Sequence, residues 1–111
     1  MTIARRILLA AAAAAALAGC APDAVRRDRE FEDWLAEVRA ACNNARISTT
    51  TVGGLLGSTG SREGGNFLNW TSRLYAGQVT PEQWTSGVTA FISGRPTDPG
   101  VRCVLERLPP R

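Results

Sequence analysis

The sequence predicts an all-α fold, a small bundle of four or five helices. Three observations lead there. Apolar residues recur at three- and four-residue steps in successive windows, the spacing of a buried helical stripe. Two segments, Thr80-Pro81 and Asp98-Pro99, pair a cap-forming residue with a proline, which is a helix-start signature. No segment alternates apolar and polar residues over the length of a strand, and no internal repeat is present.

The first helix is predicted over roughly 25–46, where Phe31, Trp34, Leu35, Val38, Cys42 and Ala45 share one face. Arg27, Glu30, Asp33 and Glu37 lie on the other side, so the acids Glu30, Glu32, Asp33 and Glu37 read as a solvated face. The hydroxyl run from Ser48 to Thr51 supplies caps for a short helix carrying Val52, Leu55 and Leu56, weakened by Gly53, Gly54 and Gly57. Residues 57–65 are glycine-rich and polar and read as a loop. A helical face then resumes with Phe67, Trp70, Thr71 and Leu74, flanked by Leu68 and Tyr75, and Gly77 is placed to end it.

Thr80-Pro81-Glu82-Gln83 predicts a cap, a proline at the first helical position and a capping box. Trp84, Val88, Phe91 and Ile92 mark the buried face of that helix, and Gly94 ends it. Asp98-Pro99 starts the last helix, with Val101, Val104, Leu105 and Leu108 as its stripe, Cys103 off it, and Pro109-Pro110 as the stop. Phe31, Trp34, Phe67, Trp70, Trp84 and Phe91 stand at helical spacing and are expected in the core.

The N-terminal segment has another character. Arg5 and Arg6 precede an apolar run from Ile7 to Ala16, followed by Leu17-Ala18-Gly19-Cys20. These are the charged, apolar and small-residue regions of a secretory signal. Leu17-Ala18-Gly19-Cys20 resembles the lipobox of bacterial lipoproteins, in which the cysteine thiol is lipidated with acyl chains such as palmitate and the chain is cut just before it. The resemblance implies a signal peptide at 1–19, a lipidated tether at 20–25 beginning at Cys20, and a helical domain at 26–111. The apolar run is too short to span a membrane as a helix. Several acyl chains hold a protein firmly where a single one would not. In such proteins an aspartate directly after the cysteine resembles an inner-membrane retention signal. Ala21 stands there instead, so the expected address is the outer membrane, facing the periplasm.

With Cys20 lipidated, the three cysteines resolve into one remaining pair, Cys42 and Cys103. An exported chain meets an oxidising compartment, where two such thiols pair. The bundle is therefore expected to be stapled by a Cys42–Cys103 disulfide tying the end of the first helix to the last. Loss of Arg5 and Arg6 also leaves 11 of the 13 basic residues against 10 acidic ones. That near-neutral balance gives no nucleic-acid signal.

The chain has no histidine, which removes the usual general base and the usual metal ligand. Two distant cysteines do not make a zinc site, and the glycine-rich loop lacks the Gly-Lys-Ser/Thr ending of a phosphate cradle. Neither cofactor nor metal is expected. Carboxylate chemistry leaves Glu63, in Arg62-Glu63-Gly64-Gly65, but its glycine and serine surroundings predict full solvation.

Phe31, Trp34-Leu35-Ala36-Glu37-Val38-Arg39-Ala40 and Ile47-Ser48 with Thr51 resemble the opening helix and turn of B-type membrane-bound lytic murein transglycosylases. Those enzymes are often lipoproteins that cut peptidoglycan with a single glutamate. Arg46 stands where the family prefers glycine, and the segment carrying the catalytic glutamate has no counterpart, so no catalytic residue carries over. The resemblance points to the cell envelope and away from activity.

The functional expectation is a non-enzymatic, membrane-anchored periplasmic lipoprotein that binds or scaffolds an envelope protein or peptidoglycan. The alternatives are an assembly or secretion accessory similar to the pilotin lipoproteins, and a modulator of a cell-wall enzyme. The 57–66 loop and the tail around Arg95, Arg107 and Arg111 are the candidate places for partner contact, and both read first as ordinary exposed loop and tail.

Overall fold

The structure, a computed structural model, describes residues 29–110. The expected signal peptide, the expected tether with Cys20, the predicted helix start before residue 29, and Arg111 lie outside the described residues. The described chain forms five helices: α1 (Arg29–Cys42), α2 (Val52–Gly57), α3 (Arg62–Tyr75), α4 (Pro81–Ile92) and α5 (Pro99–Glu106). Between α1 and α2 lies a small antiparallel hairpin, β1 (Arg46–Ile47) and β2 (Thr50–Thr51). The all-α bundle expected from periodicity is what forms, with this hairpin added.

The four longer helices alternate in direction. Phe31 and Trp34, near the start of α1, meet Tyr75 at the end of α3, with ring centroids 5.5 and 5.0 Å away. Trp34 Nε1 donates to the carbonyl of Arg107, just past α5, at 2.7 Å. At the other end Arg62, the first residue of α3, lies over the ring of Phe91 near the end of α4. The molecule thus has two ends. One gathers the start of α1, the end of α3, the start of α4 and the end of α5. The other, closed by α2 and the hairpin, gathers the end of α1, the start of α3 and the end of α4. They are called here the α1-start end and the capped end.

The core runs along the bundle axis. Phe31, Trp34, Val38 and Cys42 of α1 pack with Phe67 and Leu74 of α3, Trp84 and Val88 of α4, and Val101 and Val104 of α5. Burying apolar surface drives this association, at roughly 25 cal/mol per Å². One polar group in the core is accounted for: Thr71, fully buried, accepts the indole N–H of Trp84 at 3.1 Å.

The termini of the helices follow their chemistry. Thr80 and Gln83 form a reciprocal capping box, Thr80 Oγ1 accepting from Gln83 N and Gln83 Oε1 accepting from Thr80 N. Gly77 takes φ 74°, and the N–H groups of Gly77 and Gln78 return to the carbonyls of Leu74 and Arg73. This is a Schellman close, available at low cost because glycine has no Cβ.

Four elements differ from their sequence-based expectation. Helix α1 stops at Cys42 rather than continuing to 46, because the chain turns through Asn43 and Asn44 to bury Ile47 completely. That burial needs a close approach to α5: a Cβ at Gly100 would come within 2.9 Å of the Arg46 carbonyl oxygen.

The expected loop over 57–65 is shortened, because α3 begins at Arg62. Ser61 Oγ accepts from Gly64 N, and Gly64 packs so tightly on Ser58 that a Cβ there would collide with its carbonyl oxygen. Gly94 does not itself terminate α4; Ser93 adopts the left-handed conformation at φ 57° instead. Gly94 is needed at its place for another reason, since a Cβ would lie 2.9 Å from Ile47 Cγ2. Finally, Phe91 is not core: it is 39% exposed. The buried face of α4 is centred on Val88 and includes Thr89, which leaves Phe91 on its edge. Trp70 is half-buried, its ring lying over Gly87.

Candidate functional site

Among the described residues a groove of about 540 Å³ lies between α1, α2 and α3. Leu35, Ala36 and Ala40 of α1, Leu56 of α2 and Leu68 of α3 supply apolar lining, with Thr59 also bordering the groove. Glu32 and Arg39 border it too, two turns apart along α1. Its shape has a local cause. At positions 36 and 40 the α1 surface is alanine, so the helix presents backbone-close, shallow apolar relief between Leu35 and the α2 leucines. The volume falls in the range of about 300–1,000 Å³ typical of pockets that take small ligands or a few side chains. A second, smaller depression of about 400 Å³ at the α1-start end is lined by Leu74, Gly77, Val79, Pro81, Leu108 and Pro109.

The predicted site residues are placed as follows. Cys42 and Cys103 come together, with sulfur atoms 2.05 Å apart and Cα atoms 5.8 Å apart. Cys42 is fully buried and Cys103 half-buried on the flank of α5 that faces α1, which explains its position off the apolar stripe. Cys20 lies outside the described residues. Glu63 is exposed on the first turn of α3 rather than within a loop. An acid there complements the helix dipole. Arg95 and Arg107, paired in the sequence reading as parts of one tail, sit at opposite ends of the molecule.

Sequence reasoning treated Asp98 as a helix cap only. Its side chain makes no capping bond to α5. Its carboxylate Oδ2 instead accepts from Arg95 N at 3.0 Å and Ser48 N at 2.9 Å. These two N–H donors, Arg95 first, hold its carboxyl below the ordinary value of 3.8, aided by the Arg95 charge and opposed by partial desolvation. The groove was also missed. Its lining residues are far apart in sequence, and only the folded arrangement brings Ala36, Leu56 and Leu68 side by side.

Among the described residues no group of three or more His, Cys, Asp or Glu side chains is placed to hold a metal ion, and no helix is long and apolar enough to cross a membrane. No protein-family model, curated protein or solved structure matches the chain.

Proposed function

We propose that this protein is a lipid-anchored, non-enzymatic binding domain of the bacterial cell envelope, tethered through Cys20 to the outer membrane on its periplasmic side. The observation that carries the binding role is the groove between α1, α2 and α3. It lies on the helix nearest the tether. Nine peptide steps from Cys20 to Arg29 reach at most about 30 Å, so α1 stays near the membrane surface. The occupant that fits is a short amphipathic segment of an envelope protein: small apolar side chains for the lining and an acid toward Arg39. This is the helix-in-groove mode of recognition.

A pilotin-like accessory role is the second reading. Holding one segment of an envelope machine close to a lipid anchor is what such a role requires, and the groove's place on α1 favours it.

The test combines anchoring and capture in cells. Cys20→Ser should release the protein into soluble fractions. A photo-crosslinking residue at Ala36 should capture one envelope protein, and Ala40→Arg, which fills the groove, should abolish that capture. Membrane retention of Cys20→Ser overturns the anchor. Capture that is unaffected by Ala40→Arg, or equally efficient from Glu106, overturns the groove.

A further inference from the structure

The two ends of the bundle differ in charge. The α1-start end exposes Glu30, Asp33, Glu82 and Glu106 against Arg29, Arg73 and Arg107. The capped end exposes Arg46, Arg62 and Arg95, and the acids there among the described residues are Glu63 and the half-buried Asp98. Asp98 is already committed to two backbone N–H groups. The capped end also holds Phe91, the one large hydrophobic residue that is exposed among those described, with the Arg62 guanidinium 6.0 Å from its ring centroid. A single exposed phenylalanine is ordinary on any protein surface. Here it stands with three arginines at one end.

This end is also the one farthest from the tether. Helix α1 has 14 residues, about 21 Å of rise, and it starts at the tether side and finishes at the capped end. Turning the basic end onto the membrane would require the tether to run back along the whole domain, using most of its reach. The capped end is therefore the end that the tether leaves free to face away from the anchoring membrane.

We propose that the capped end, built on Phe91, Arg62, Arg95 and Arg46, docks onto a carboxylate-bearing polysaccharide, the chemical class of the bacterial cell wall. An aromatic face packs against the C–H face of a pyranose ring, and guanidinium groups take carboxylates in bidentate hydrogen bonds. Acetylated amino-sugar strands with peptide stems present both groups side by side. The inference rests on the anchored-envelope reading and adds an orientation to it: lipid at one end of the bundle, wall at the other.

The test is co-sedimentation of the full lipidated protein, held in detergent, with two probes: purified cell-wall sacculi and chitin. Binding to sacculi is expected to exceed binding to chitin, which has the sugars without the carboxylates, and to fall away in about 0.5 M salt, where the screening length is only a few Å. Arg62→Glu should weaken sacculus binding at least about tenfold and Phe91→Ala several-fold, while Arg73→Glu at the other end leaves it unchanged. Thermal melts of the variants report folding separately, and each mutated side chain is exposed.

Sacculus binding indifferent to Arg62→Glu overturns the proposal. So does binding to chitin as strong as binding to sacculi, which would take the carboxylates out of the recognition. Palmitate labelling of the same preparation separates the two readings. A labelled protein that ignores sacculi sinks this inference alone, whereas an unlabelled one sinks the anchor.

Discussion

The carboxylate of Asp98 accepts the backbone N–H of Ser48 at 2.9 Å across 50 residues of sequence, fixing the hairpin turn to the start of α5. Ser48 needs such a hold. It sits at φ 57°, a conformation that costs a non-glycine residue about 1–2 kcal/mol. The same carboxylate oxygen takes Arg95 N, so one side chain positions two turns. Because the folded-state pKa of Asp98 lies below its unfolded value, its contribution to stability is complete above the unfolded pKa near 4 and is lost as pH falls through the lower folded value. Acid titration of stability should show this loss below pH ~4. Asp98→Asn should flatten that limb of the curve. An unchanged acid limb would show that the Asp98 carboxylate contributes nothing.

Removing the disulfide should cost a large share of total stability. The bridge closes a loop of 61 residues, and loop-closure entropy gives about 4 kcal/mol. Domains of this size have about 5–15 kcal/mol in all. Urea unfolding of the Cys42→Ala, Cys103→Ala double variant should show a drop of that order. A loss under about 1 kcal/mol would mean that the unfolded chain is already compact without the bridge.

Thr71 should resist replacement by an isostere. Thr71→Val conserves shape but leaves the buried indole N–H of Trp84 without its acceptor, costing about 1–3 kcal/mol. Thr71→Ser keeps the acceptor and loses a methyl group, so it should cost less. Equal losses in the two variants would show that the hydroxyl is unimportant.

Ser93→Gly should stabilise the protein. The left-handed φ of Ser93 is relieved by glycine, offset in part by a more flexible unfolded chain. The expected gain is about 0.5–1 kcal/mol, read as an upward shift of the urea midpoint with unchanged slope.

Much of this fold is legible in the sequence because its helices carry local signals. The Thr80–Gln83 box and the apolar stripe of α1 need no tertiary context. The hairpin had none of those signals. Its turn is Ser48-Thr49 rather than a glycine-bearing pair, each strand is two residues long, and Ile47 is buried only because Gly94 and Gly100 let neighbouring backbone approach. The start of α3 was hidden for a related reason. Gly64 and Gly65 argue for a loop by propensity, yet tight packing of Gly64 on the chain at Ser58 selects glycine inside a helix. Phe91 was misplaced because a stripe read at three- and four-residue steps is wider than the face that packs. The groove and the opposed charges of the two ends are properties of the assembled bundle, and no window of sequence contains them.

The bond from Trp34 to the Arg107 carbonyl carries a practical consequence for anyone labelling this protein. It brings the far side of α5 back beside the first turns of α1, so anything appended after residue 110 emerges next to the start of α1. An affinity tag or fluorescent fusion there would crowd the start of α1, the side on which the proposed lipid anchor attaches.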